Sequence, residues 1–194
     1  MGIFGSLFKR KNDSNLSKND AIFRLATASL NLTAKYDLYP LGKAGVCFNP
    51  MDSSYFKELE SELKGLLSIG KESAGTQYRV LDDDYGFRWI ILQDDEFEDL
   101  VTAAFLTAQS FSDHGFAGRL LAADFPFMYE QDRIHWIFNY KRGTFYPFVP
   151  IPGKQQRDNA LELSLSSKIK EELPIESKLE RWYGIWGAPF DGVK

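Results

Sequence analysis

Three apolar segments that follow one another along the chain constrain its fold more than any other feature. Residues 120–129, 134–140 and 144–149 are rich in aromatic and branched side chains, which favours β-strands. Their connections are short, and short connections join antiparallel neighbours, because parallel strands need a long crossover. Pro126 and Pro147 lack the N–H that a ladder needs, so each predicts a sheet edge, a bulge or a strand end.

Helical patterns lie before and after these strands. The clearest covers 97–111, where apolar residues recur at every third or fourth position, with acidic residues in the first turn and Gly115 behind the last. Similar spacing predicts helices over 20–35 and over 53–70, the second ending at its terminal glycine. Residues 159–173 also favour a helix, although alternating leucines leave a strand open.

A short strand over 46–48 and a hairpin formed by 78–81 and 87–92 complete the pattern. Helices that are interleaved with antiparallel hairpins do not follow the strict strand–helix–strand alternation of a parallel sheet. We therefore predict an α+β fold, a single domain with helices packed on a mainly antiparallel sheet.

Length and composition support one domain with a substantial core. The chain has 194 residues, of which 44% are hydrophobic and 15% aromatic, so it can fold without metal or cofactor. We place the domain at 20–194, after an amphipathic segment at 1–11 and a polar linker at 12–19. The net charge of −4 argues against a general nucleic-acid binder. Cys47 is the single cysteine, which excludes internal disulfides and favours a reducing compartment, by default the cytoplasm.

Four features that could indicate a phosphate, calcium or catalytic site are better explained by structural roles. The GxxxxGK motif at 65–71 lacks a preceding strand and a following Ser or Thr, so it indicates a helix end and not a phosphate loop. The acidic run 82–84 would need a glutamate at Gln93 to resemble a calcium loop, and a solvated turn is the better interpretation. His114 suits the last turn of a helix, and His135 falls on the polar side of an alternating strand. Both predict structural roles, and Cys47 predicts a small buried hydrophobe.

The first eleven residues have the pattern of a helix that lies at a membrane interface. Four apolar residues precede three cations, and each cation near an anionic leaflet contributes about 1 kcal/mol. We expect weak, reversible contact with an anionic membrane surface, and the alternative is a tail packed on its own domain or on a partner. The predicted membrane-contact residues are Ile3, Phe4, Leu7, Phe8, Lys9, Arg10 and Lys11.

Arginines and aromatic residues in the last third of the chain predict a surface for a protein partner, because Arg, Trp and Tyr are enriched at binding hot spots. We expect Arg142, Arg157 and Arg181 to be at least partly exposed around the aromatic cluster. The alternative assigns the rings to the core and a hairpin. The predicted partner-binding residues are Lys141, Arg142, Phe145, Tyr146, Phe148, Arg157, Arg181, Trp182 and Trp186.

Several motifs resemble the PspAB family of accessory proteins associated with the phage shock protein PspA. The most specific are KRGTFYPFVP (141–150), RDNALEL (157–163) and LPIESKLERWYGIWGAP (173–189). Weaker similarity covers the MGIF start, LGKAGVCF (41–48), DDDYGFRW (82–89) and DHGFAGRLL (113–121). The MGIF start also resembles that of PspA, whose amino-terminal helix is associated with membrane binding.

The resemblance implies a non-enzymatic accessory protein of a PspA-type envelope stress response. Such a protein would contact a PspA-like coiled-coil protein at the inner face of the membrane, and the family offers no catalytic site to carry over. Two alternatives remain, an enzyme with a cleft near Arg142, Arg157 and Asp158, and a chaperone-like adaptor dimer that takes a client segment. A polar cleft with perturbed titratable groups would favour the enzyme, whereas an aromatic patch with a basic rim would favour the binding protein. The oligomeric state stays open.

Overall fold

The computed structural model describes residues 18–73 and 75–190. These residues form a single α+β domain with a mainly antiparallel sheet, as the sequence predicts. The amphipathic segment 1–11 and most of the polar linker lie outside the described residues. Residues 18–20, at the junction of linker and domain, form a helical turn.

Four complete α-helices and seven strands make up the described part of the domain. The helices are α1 (Phe23–Tyr36), α2 (Ser54–Ser73), α3 (Phe97–Asp113) and α4 (Asn159–Ile169). The strands are β1 (Leu38–Pro40), β2 (Lys43–Phe48), β3 (Gln77–Asp82), β4 (Arg88–Gln93), β5 (Leu120–Tyr129), β6 (Asp132–Asn139) and β7 (Thr144–Phe148). Short 3₁₀ turns cover Ala117–Arg119 and Leu179–Arg181.

The strand order is β3-β4-β2-β5-β6-β7, and β1 pairs with the far end of β5. All these ladders are antiparallel. Pro147 lies in the edge strand β7, as predicted. Pro126 lies where the partner of β5 changes from β2, which pairs up to Asp124, to β1, which pairs from Phe127. Its missing N–H therefore leaves no gap in a ladder.

Both faces of the sheet are covered. The helices cover one face, where alternate residues of β2, β4, β5 and β6 form the main core. The C-terminal segment, residues 173–190, covers the other face with Trp182, Ile185, Trp186 and Phe190. Strand β2 is consequently buried on both sides from residue 44 to 48, and such two-sided burial removes the polar alternation of a half-exposed strand.

The predicted end of α2 at Gly70 is wrong, because the helix continues to Ser73. The left-handed terminal residue is Gly75, with φ of 92° and an N–H that donates to the Lys71 carbonyl at 3.2 Å. A glycine inside a helix costs about 1 kcal/mol, which the packing of α2 on the sheet overcomes. The GxxxxGK motif is thus helical throughout, with no preceding strand. Helix α4 ends four residues earlier than predicted, at Ile169.

Candidate functional site

An open groove of about 880 Å³ crosses the end of the sheet where β4 begins and β6 ends. Four segments supply most of its lining: the β3–β4 turn with the start of β4, residues 117–122, residues 139–142 and part of the C-terminal segment. The rest comes from Lys18, Asn19, Cys47, Ser112 and Tyr146. Ligand-binding clefts in proteins typically have volumes of about 300–1,000 Å³ and mostly apolar walls. The large apolar side chains that line this groove are Tyr85, Phe87, Trp89, Leu120, Leu121, Tyr140, Tyr146, Tyr183, Ile185 and Trp186.

The strand order separates the charges around the groove. Strands β2 and β5 lie between β4 and β6, and three strand spacings amount to about 14 Å. On the β6 side the groove is lined by Lys141 and Arg142, with Lys18 of the helical turn. On the β4 side it is lined by Asp83 of the hairpin turn. The groove thus has a basic rim and, opposite, an acidic turn.

Asp83 organises the β3–β4 turn. Its Oδ1 accepts hydrogen bonds from the N–H groups of Tyr85 and Phe87, each at 2.9 Å. Its Oδ2 accepts from the indole Nε1 of Trp89 at 2.9 Å. The carboxylate therefore fixes both the turn and an aromatic wall of the groove, which supports the prediction of a hairpin turn.

Two titratable side chains that line the groove, a thiol and a phenol, are held in their neutral forms. Burial, reinforced by Asp83 and Asp124, raises the pKa of the Cys47 thiol. Burial also raises the pKa of Tyr146, whose hydroxyl donates to the Tyr183 carbonyl at 3.1 Å. A protonated thiol is a poor nucleophile, so Cys47 is the small buried hydrophobe that its neighbours predict. In these neutral forms the two groups lack the activation that thiolate or phenolate chemistry requires.

Four predicted partner-binding aromatic residues are buried, and of these only Tyr146 lines the groove. The assignment of the other three to an exposed surface is wrong. Phe145, Tyr146, Phe148 and Trp182 are all buried. Phe145 lies in the main core on the helix-covered face, where its ring packs against that of Phe138. Tyr146, Phe148 and Trp182 are buried because the C-terminal segment covers the second face of the sheet and stacks the Trp182 ring on that of Tyr146. The alternative, which assigns the rings of Phe145, Tyr146 and Phe148 to the core and a hairpin, is confirmed.

The predicted residues that border the groove form a smaller set. Lys141 is exposed and Arg142 is partly exposed, and both lie at its rim. Tyr146 and the partly exposed Trp186 contribute to its walls. Of the remaining predicted residues, Phe145, Phe148 and Trp182 are buried, and Arg157 and Arg181 contact residues of the C-terminal segment.

Arg157 is partly exposed, as predicted, but it is tied into a buried network. Its Nε lies 2.8 Å from both carboxylate oxygens of Glu162, whose side chain is 2% exposed. Its other nitrogens donate to the carbonyls of Trp182 at 2.6 Å and Pro147 at 3.3 Å. One guanidinium thereby joins α4, β7 and the C-terminal segment. Burial raises the pKa of Glu162, and the hydrogen bond from Arg157 partly opposes that shift.

The other two arginines are also partly exposed and flank one acidic residue. Arg142 lies 3.7 Å and Arg181 3.5 Å from the carboxylate of Glu176, and this side chain is 7% exposed. These ion pairs hold the first part of the C-terminal segment beside the β6–β7 turn.

The cleft suggested for an enzyme does not form. Arg142 lines the groove, whereas Arg157 is bound to Glu162 and Asp158 caps α4 by accepting the Leu161 N–H at 2.9 Å. Across residues 18–73 and 75–190, no group of three or more His, Cys, Asp or Glu side chains could hold a metal ion.

A buried histidine–aspartate pair lies on the second face of the sheet. The Nδ1 of His135 is 2.9 and 3.0 Å from the two carboxylate oxygens of Asp124, which is fully buried. The imidazole lies between the rings of Phe148 and Phe190, at centroid distances of 5.9 and 6.0 Å. The prediction that His135 faces the polar side of its strand is wrong, because the C-terminal segment buries that face. An aspartate within the apolar strand 120–129 is the sequence signal for such a pair.

His114 has the structural role predicted for it. It is the C-terminal cap residue of α3, and its ring Nδ1 lies 2.8 Å from the Ser110 carbonyl. Its Nε2 lies 3.1 Å from the carboxylate of Glu62, so the imidazole links α3 to α2.

None of the described helices combines the length and apolar character needed to cross a membrane. A family model described as PspA associated protein B matches residues 1–190. Comparison with curated proteins and with solved structures gives no match.

Proposed function

The chain belongs to the PspA associated protein B family, and we propose that it is a non-enzymatic accessory protein that binds a PspA-like coiled-coil protein in its groove. The binding takes place at the inner face of a stressed membrane, as part of an envelope stress response. The observation that carries this proposal is the aromatic groove with its basic rim and neutral titratable groups.

The groove offers two kinds of contact to such a partner. An amphipathic helix inserts its apolar side chains into a hydrophobic groove and leaves its polar face outside. Coiled-coil helices also carry charged residues next to their apolar seam. Lys18, Lys141 and Arg142 supply the positive charge that complements acidic residues of a partner helix.

Leu121→Arg should weaken binding of purified PspA from the same organism by about 30-fold, the loss of one hot-spot contact. Leu121 lines the groove and is 37% exposed, so an arginine there fills the site without disturbing the core. Titration calorimetry with the full chain measures the affinity. The matched control is Leu163→Arg, since Leu163 is 46% exposed on α4 and does not line the groove. Equal affinities for both variants and the wild-type chain would place the binding surface elsewhere.

Lys141→Glu should slow association with PspA, because a rim charge steers the encounter and acts mainly on the association rate. Lys141 is exposed, which makes its effect on folding small. Stopped-flow kinetics at low and high salt measure this effect, and the difference from wild type should shrink at high salt. A difference that is independent of salt would argue against electrostatic steering.

The amino-terminal segment 1–11 supplies the proposed membrane contact. Deleting residues 2–11 should reduce flotation with anionic vesicles, because three cations and four apolar side chains are removed, and should leave a folded domain with a cooperative thermal unfolding transition. Flotation with neutral vesicles is the control for the electrostatic part. Undiminished binding to anionic vesicles would contradict a membrane role for this segment, and an unfolded product would assign it to the core.

A further inference from the structure

The described chain begins at the rim of the groove. Lys18 and Asn19 line it, and Asn19 is buried. The backbone of Lys18 packs against the β6–β7 turn, where Gly143 has φ of 70° and a Cβ would lie 3.0 Å from the Lys18 carbonyl oxygen. This contact fixes the point from which the preceding seventeen residues extend.

Those residues are long enough to reach all of the groove. Phe8 stands ten residues before Lys18, and ten extended residues span up to about 33–36 Å. The distance between β4 and β6, which sets the width of the groove, is about 14 Å.

The chemistry of the segment matches that of the groove. Ile3, Phe4, Leu7 and Phe8 are apolar, as is most of the lining. In the sequence, the cations at 9–11 stand between these side chains and the linker. The seven residues from Lys11 to Lys18 span up to about 23–25 Å when extended, which is long enough to bring the cations to the acidic turn that contains Asp83 and the exposed Asp84.

We propose that the groove is occupied by the amino-terminal apolar segment of the same chain when no partner is bound. This inference rests on the proposed function, because it makes the segment and the PspA-like partner compete for one site. Partner binding then raises the fraction of chains in which the four apolar side chains are available to a membrane.

The test uses the full chain with p-benzoylphenylalanine in place of Phe4. Irradiation of the dilute protein should give cross-links within one chain to residues 83–89, 117–122 or 183–186, identified by mass spectrometry. The same probe at Tyr55, which is 73% exposed and does not line the groove, should give none of them. A mixture of isotopically light and heavy chains identifies cross-links between copies. Cross-links only between copies, or only outside the groove, would overturn the proposal.

A second variant tests the competition. Phe4→Asp/Phe8→Asp should strengthen binding of purified PspA about tenfold. The apparent affinity of the wild-type chain is lower than its intrinsic affinity, because only the chains whose groove is free can bind PspA. An unchanged or weaker affinity would overturn the competition. If the chain binds PspA but the probe at position 4 gives no cross-links to the groove, this inference is refuted and the proposed function stands. Groove cross-links in a chain that does not bind PspA refute the proposed function alone.

Discussion

Replacing Arg157 by alanine is expected to lower the free energy of unfolding by about 3–5 kcal/mol, the usual cost of removing one partner of a buried ion pair. The variant leaves the Glu162 carboxylate, 2% exposed, with only the Val149 N–H at 2.8 Å as a hydrogen-bond donor. It also removes the donor to the carbonyls of Trp182 and Pro147. Urea denaturation of both proteins at neutral pH measures the difference.

The pH dependence of this loss has a definite sign. Burial raises the pKa of Glu162 in the folded chain, so the folded state binds more protons and stability falls as pH rises from the unfolded pKa. Without Arg157 that pKa rises further, and the carboxyl becomes neutral over a wider range. The difference from wild type should therefore be smaller near about pH 4 than at pH 7.

Arg79→Ala is the matched control, because Arg79 is an exposed arginine on the edge strand β3. Its effect should stay within about 0.5 kcal/mol. A loss below about 1 kcal/mol in Arg157→Ala would contradict the role of Arg157 in a buried structural network.

His135→Ala is expected to lower the free energy of unfolding by about 3–5 kcal/mol as well. The change leaves the fully buried Asp124 carboxylate without its nearest donor and opens a cavity between Phe148 and Phe190. Because Phe190 belongs to the C-terminal segment, backbone hydrogen exchange at 182–190 should also accelerate. Thermal denaturation and exchange mass spectrometry measure the two effects.

Two further variants test whether the loss of stability in His135→Ala comes from the unpaired Asp124 carboxylate. Asp124→Leu/His135→Leu should recover most of the stability, because apolar residues of similar volume often replace a buried polar pair without loss. His114→Ala should cost less than about 1 kcal/mol, since its acidic partner Glu62 is 61% exposed. If His135→Ala were as stable as the wild-type chain, the pair of His135 and Asp124 would not anchor the second face of the sheet.

The helices and strands that the sequence predicts correctly are those that depend on local patterns. The periodicity of 97–111 and the hairpin signals at 78–92 depend on neighbours in sequence, and the structure confirms α3, β3 and β4. The end of α2 was predicted wrongly because packing carries the helix past Gly70 to the left-handed Gly75. Glycine content alone does not show which of two nearby glycines ends a helix.

Residues of the candidate site are harder to identify because they come from segments that are distant in the sequence. Lys141, Arg142, Tyr146 and Trp186 were selected from composition, and all four line the groove. The contributions of the β3–β4 turn and of 117–122 depend on the order of the strands, which sequence patterns do not specify. Burial of Tyr146 and Phe148 likewise depends on where the C-terminal segment packs.

The most direct test of groove binding places p-benzoylphenylalanine at position 121 of the full chain and irradiates it with purified PspA. Leu121 lines the groove, so a partner seated there must lie against the probe. Groove binding predicts a cross-link to PspA from position 121 and none from the control position 163 on α4. A cross-link from position 163 alone, or equal yields from both positions, would contradict it.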